Sequence, residues 1–307
     1  TSLRHTAAEK GELKYFAIAH EEAVPGLGSD GTRFGAAFSR VRSKPDTATS
    51  FIPLNLETSS DSGSLTLSHP WLRSRNENLY VRASFTGHNG ATELFGVRDT
   101  EDRIRALRLA LTYDAADTAG GINIAEFEVS QGLETAGASR AGDPLLSRAN
   151  GKPAFTKLGL YIARSQALTP TLSLLAALSA QYAFDDLLSP ELFSFGGEQF
   201  GRGYDPSEIV GDHGAALKLE LRYSLVPSDS WLTGATLYGF YDAGVVRQRS
   251  PGGLDAQQSL ASTGFGVRFD AGRWLSGYLE WAKPLTRTVA AEGNRNGRGY
   301  AGLALRY

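Results

Sequence analysis

The sequence predicts an all-β protein, a transmembrane antiparallel up-and-down β-barrel of about fourteen strands. Three observations predict it. Apolar and polar residues alternate with a period of two along most of the chain. The alternating segments run to about 10–14 residues, against ~5–6 for ordinary soluble strands and ~9–11 for tilted membrane strands. From the third segment onward, short connections alternate with long ones, as turns and loops do at the two rims of an outer-membrane barrel.

In chain order, the segments begin at 2–8, 12–22 and 31–41, and the first two connections do not follow the short–long rule. Strands 63–71 and 79–88 come next. In the latter, Tyr80, Arg82 and Ser84 take the polar side of the run from Leu79 to Phe85. In strand 103–114, Arg108, Ala110 and Thr112 lie opposite the apolar side of Leu107 to Tyr113. Strands 121–133, 154–166 and 171–184 precede 214–225, where the alternation is strictest. There Ala215, Leu217, Leu219, Leu221 and Tyr223 oppose Ala216, Lys218, Glu220 and Arg222. The chain finishes with 231–246, 258–270, 275–285 and 298–307. Short gaps include 72–78, 115–120, 167–170, 226–230 and 271–274. Long ones include 42–62, 89–102, 134–153, 185–213 and 247–257. Under this alternation the last strand ends at the periplasmic rim, the first starts there, and the count is even.

Aromatic residues at strand ends, Tyr113, Tyr223, Trp231, Trp274, Trp281 and Tyr307, suit interfacial girdles. The apolar face then meets lipid. The charged face, with Arg82, Arg108, Lys157, Lys218, Glu220, Arg222, Asp270, Glu280 and Arg306, meets a wet lumen.

Composition removes other classes. The net charge of -2 offers no electrostatic case for nucleic acid. Cysteine is absent, which excludes thiol catalysis and cysteine-based metal sites. Methionine is absent too, and no segment has the form of a signal peptide, so a mature chain or a fragment is expected. The longest apolar run, Leu172 to Ala180, is about half the ~20 residues of a membrane helix.

Few motifs carry chemistry. GLGSDG (Gly26 to Gly31) matches a dinucleotide fingerprint, but an alternating strand follows it where a helix is required. No nucleophile elbow, no zinc-protease motif and no paired carboxylates stand out. The histidines (His5, His20, His69, His88, His213) are scattered. No catalytic residue, metal or cofactor is expected.

The gap 185–213 differs. It contains FGRGYD (Phe200 to Asp205) among glycines, with Phe193, Phe195, Tyr204 and Ile209. Long connections of this kind are functional or disordered, and the aromatics favour a loop packed against the lumen wall. A guanidinium confined there needs a carboxylate. The candidate is Asp242 in FYDAG (Phe240 to Gly244), on a strand whose Tyr238, Phe240 and Asp242 share one side. GFGVRF (Gly264 to Phe269) adds Gly264, Gly266 and Arg268 on the inward side of the next strand. The alternative stays open: Arg202 solvated outside, and Asp242 one lumen charge among several.

RGY (Arg202, Gly203, Tyr204) and FxDxG (Phe240, Asp242, Gly244) resemble the signature pair of the outer-membrane POTRA–barrel superfamily. HPWLRSRNENLYV (His69 to Val81), where a strand ends in proline and the next begins with Asn-Leu, is similar to a stretch in two-partner secretion transporters of the haemolysin and filamentous-haemagglutinin branch. So is SLRHTAAEKGELKYFAIAHEEAVPG near the N-terminus. The resemblance implies a sixteen-stranded barrel, of which residues 1–307 would be the C-terminal fourteen strands without the plug helix and POTRA domains. It further implies export of an unfolded partner exoprotein through the lumen, and an Arg202–Asp242 pair locking the loop inside. Tyr307 would be a terminal signal read by the barrel-assembly machinery when the chain enters the lipid bilayer. An insertase of the same superfamily shares both motifs, and a passive porin shares the architecture.

Overall fold

The computed structural model describes residues 1–7, 13–24, 31–44, 55–225, 231–252 and 255–306. Its strands are β1 (Ser2–Ala7), β2 (Leu13–Ala23), β3 (Arg33–Ser43), β4 (Glu57–Arg73), β5 (Glu77–Leu94), β6 (Val97–Ala116), β7 (Gly121–Gly132), β8 (Thr156–Ala167) and β9 (Leu172–Ala183). They continue with β10 (Phe193–Phe195), β11 (Ile209–Gly211), β12 (His213–Leu225), β13 (Leu232–Arg247), β14 (Gln257–Ala271), β15 (Leu275–Pro284) and β16 (Arg298–Leu305). Fourteen of them form one sheet in chain order, and β10 and β11 pair separately within the connection from β9 to β12. Among the described residues no helix is long and apolar enough to cross a membrane.

The two faces of the strands are sorted in the opposite sense to a soluble sheet. On β12, Leu217, Leu219, Leu221 and Tyr223 are exposed, whereas Ala216 and Glu220 are buried. On β13, Leu237 and Tyr241 are exposed, whereas Tyr238, Phe240 and Asp242 are buried. On β6, Leu107, Leu109, Leu111 and Tyr113 are exposed, and Ile104, Ala106 and Ala110 are buried. Water would drive those leucines inward at ~25 cal/mol per Å². Hydrocarbon removes that drive, so an outward apolar face with buried charge behind it is stable only in lipid. The girdle candidates Tyr113, Tyr223, Trp231, Trp274 and Trp281 are all exposed. Tyr307 lies outside the described residues.

Three strands run well past their expected bounds. β4, β5 and β6 have 17, 18 and 20 residues. At ~3.4 Å per residue each overruns an apolar band of ~25 Å even when tilted. The long loop expected at 89–102 is therefore a two-residue turn. Phe95 and Gly96, at φ 55° and 76°, have the left-handed pair that closes a tight hairpin. Beyond the hydrocarbon both faces of a strand are wet, so period-two alternation is no longer required. The ladder continues through polar residues, with Glu57 opposite Glu93 and Ser60 opposite Gly90. Nor does β4 end at Pro70. The register shifts between Pro70 and Leu72, a bulge that accommodates a residue without an N–H, and Trp71 is turned outward.

Two compact units divide the chain. One comprises Thr1–Thr112, Phe127–Gly159 and Ala183–Glu191, the other Tyr113–Glu126, Leu160–Tyr182 and Leu192–Tyr307.

Candidate functional site

The site lies in the second unit, where the connection from β9 to β12 folds onto the inner face of β12–β15. The loop is organised by aromatics. Phe193, Phe195, Phe200, Tyr204 and Ile209 are buried in one cluster with Ala216 of β12, Val246 of β13 and Leu260 of β14. Glycines of the wall make the seats. A Cβ at Gly214 would overlap the Phe193 ring, and one at Gly244 would overlap the Phe195 ring. The turn that carries the arginine is closed by Gly196 N–H donating to Phe200 O at 3.0 Å and Tyr204 N–H donating to Gly201 O at 2.9 Å. Gly196 and Gly201 sit at φ 124° and 91°, which any Cβ would strain.

Arg202 is 4% exposed. Its Nε donates to Asp242 Oδ2 and its Nη2 to Asp242 Oδ1, each at 3.0 Å, a two-pronged carboxylate contact. Nη1 donates to Glu220 Oε2 at 2.7 Å and to Glu280 Oε2 at 3.3 Å. The guanidinium lies 3.4 Å over the Phe240 ring. Backbone N–H groups of Gly201 and Arg202 also donate to Asp242 Oδ2, both at 3.2 Å. Tyr300 Oη donates to Arg202 O at 2.9 Å. Burial disfavours the Arg202 charge, but hydrogen bonds and attraction from Asp242, then Glu220 and Glu280, outweigh it and hold the pKa above its ordinary value.

Charges of both signs meet here, and Lys218 of β12 stands opposite Asp242. Glu220 also accepts from Arg268 Nη1 at 2.8 Å and Arg222 Nε at 2.7 Å. Tyr238 Oη donates to Glu280 at 2.9 Å, and Arg268 lies 3.9 Å over the Tyr238 ring. Three guanidinium groups thus meet three carboxylates. Gly264 and Gly266 have their own part, since a Cβ on either would collide with the Phe240 or Tyr238 ring that underlies a guanidinium.

The remaining residues of the RGY triplet fix the loop's height. A Cβ at Gly203 would come within 2.8 Å of Pro284 N and Ser262 Cβ, so the loop backbone rests directly on β14 and β15. Tyr204 Oη donates to Ala261 O at 3.2 Å and is also 3.2 Å from Thr286 Oγ1. Tyr204→Phe removes these bonds at a cost of about 1 kcal/mol. Limited proteolysis should then cut the loop several-fold faster in a barrel that still resists heat in a gel. An unchanged cutting rate refutes the anchoring role.

The structure brings Arg202, Asp242, Phe240 and Arg268 together, with Gly264 and Gly266 against the rings of Phe240 and Tyr238, while Gly203 and Tyr204 seat the loop on the wall and Gly244 makes room for Phe195. It adds Glu220, Glu280, Tyr238 and Tyr300. Glu220 and Glu280 were visible in the sequence only as two inner-face charges. Among the described residues no cluster of three or more His, Asp or Glu is placed to hold a metal ion.

Comparison with solved structures places this architecture. CdiB from Escherichia coli superposes with a TM-score of 0.76 at 19% identity, over 95% of this chain and 53% of its own. CdiB from Acinetobacter baumannii gives 0.69 at 16%, over 99% and 53%. BamA from Haemophilus ducreyi, lacking POTRA domains 1–3, gives 0.63 at 15%, over 96% and 62%. At such identities the likeness establishes the fold, that of outer-membrane β-barrels, and the chain spans about half the length of the CdiB chains. No curated protein matches the sequence. The family model for the haemolysin secretion/activation protein ShlB/FhaC/HecB matches residues 30–269, a span that includes both the loop with Arg202 and the strand with Asp242. An outer-membrane barrel fold and a family match over most of the chain lead to one conclusion: this chain belongs to the haemolysin secretion/activation (ShlB/FhaC/HecB) family of outer-membrane β-barrels.

Proposed function

We propose that this barrel is a two-partner secretion pore, which passes an unfolded exoprotein from periplasm to cell surface along the charged inner face of its strands. The observation that carries the proposal is the aromatic loop held on that face by Arg202 on Asp242, Glu220 and Glu280, in a chain of this family. A passive porin is expected to leave an open lumen and give steady conductance. An insertase shares the barrel architecture, and the family match to secretion proteins favours the exporter. A wall with mixed charge and hydroxyl groups offers hydrogen bonds to an extended backbone without binding one sequence tightly. The partner refolds outside, and that folding supplies the direction. Residues 1–307 act as the barrel part, Arg202 locks the loop between passages, and Tyr307 is the residue the barrel-assembly machinery reads on insertion.

The test uses a partner exoprotein stalled in transit by a stably folded passenger. This chain has no cysteine, so single introduced thiols report cleanly. Arg222→Cys on the inner face of β12 should cross-link to the stalled partner, and Leu221→Cys, which faces lipid, should not. Equal cross-linking at the two positions, or none at either, rules the pore reading out.

A further inference from the structure

The β9–β12 connection has a second anchor, which the RGY motif does not include. Glu191 closes a single 3-10 turn, Ser189–Glu191, and is 6% exposed. Its Oε1 accepts from Arg108 Nη2 of β6 at 2.6 Å, and its Oε2 pairs with Lys157 Nζ of β8 at 2.8 Å. Lys157 Nζ also donates to Glu191 O at 2.9 Å. Arg108 is aimed by Ser130 Oγ at 2.8 Å and Thr86 Oγ1 at 3.3 Å, with Glu128 at 3.6 Å. Burial opposes ionisation of Glu191, but Lys157 and Arg108 outweigh it and hold its pKa below the ordinary carboxylate value.

The segment leading to Glu191 is tied down as well. Leu187 and Leu188 are fully buried, and a Cβ at Gly151 would overlap Leu188. Lys152 N–H donates to Asp186 O at 2.8 Å, Ser189 N–H to Ser147 Oγ at 3.0 Å, and Thr156 N–H to Asp185 Oδ2 at 3.1 Å. These partners all belong to the first compact unit, as does Glu191 itself. None of them takes part in the Arg202 cluster.

We infer that Glu191 is a positioning residue that fixes the root of the loop through Arg108 and Lys157, independently of the arginine clasp at its tip. The two anchors have opposite polarity: a loop carboxylate on wall cations at the root, a loop guanidinium on wall carboxylates at the tip. Groups with no shared partner contribute separately. The loop therefore opens in parts: release of Arg202 loosens the tip, residues 196–206, while the root stays bound and Val210 and Asp212 keep their bonds from Gln248 and Arg249. How the loop is held does not depend on what passes beside it, so this inference survives a failure of the pore reading.

The test reads the two parts separately with maleimide in the purified full-length protein. Leu188→Cys reports the root and Phe200→Cys the tip, both buried positions. Glu191→Gln should raise the labelling rate at the root about tenfold and leave the tip unchanged. Arg202→Ala should do the converse. If Leu188→Cys does not insert, Leu187→Cys takes its place. An unchanged root rate in Glu191→Gln overturns the inference, as does an equal rise at both reporters.

Discussion

Arg202→Ala is expected to release the tip of the loop while leaving the barrel inserted. The variant removes two hydrogen bonds to Asp242, one each to Glu220 and Glu280, and the stacking on Phe240. Glu220 keeps Arg222 and Arg268. Asp242, 0% exposed, keeps hydrogen bonds only from the two backbone N–H groups of the loop itself, and Lys218, opposite it on β12, is the cation left beside it. A buried charge stripped of its partner costs about 3–5 kcal/mol, and hydrating Asp242 by letting the loop leave relieves that cost. Proteolysis within residues 196–206 should accelerate at least tenfold, and export should fall by a similar factor. Heat-modifiability of the barrel should not change, because the strand ladders are untouched. Arg202→Lys should recover only part of the effect, since a point ammonium cannot span both oxygens of Asp242 and reach Glu220. A fully protected loop and normal export in a well-inserted alanine variant would sink the assignment.

Gly244→Ala should produce a milder form of the same defect from the wall side. The three atoms nearest to an added Cβ all belong to the Phe195 ring, none to backbone. Strand β13 can therefore keep its ladder while the ring is expelled. Overpacking of this kind costs about 1–3 kcal/mol. Here it falls on Phe195, 1% exposed at the centre of the loop cluster. Loop cutting should rise and export should drop, each by less than in Arg202→Ala. Phe195→Leu in the same chain should restore protection by trimming the ring. Absence of any rescue would mean that the methyl acts elsewhere. Gly264 provides the contrast, because its Cβ would overlap the carbonyl oxygen of Trp281 on β15 as well as the Phe240 ring. Gly264→Ala should lower the heat resistance of the barrel itself.

Side-chain direction was legible because the strand period is two. Tyr238, Phe240 and Asp242 point inward and Leu237 and Tyr241 outward by that period alone. Strand length was legible only inside the hydrocarbon. Once β4, β5 and β6 run into water, alternation lapses, and residues 89–102 look like a loop although most of them are ladder. The metal and cofactor classes were narrowed by composition, which is a statement about donor atoms and needs no coordinates.

By itself, then, the sequence determined the β class and which side chains face which way, because both follow from local pleat geometry. Only the tertiary structure decided which inward groups meet. Height along the wall depends on inter-strand register, which sets Glu220 opposite Phe240, Phe240 opposite Gly264 and Gly266 opposite Glu280. Those pairings carry carboxylates from three strands to the level of Arg202. The root of the same connection seats Glu191 on Arg108 and Lys157, both far from it in sequence. No local period encodes either meeting, since each joins residues separated by tens of positions along the chain.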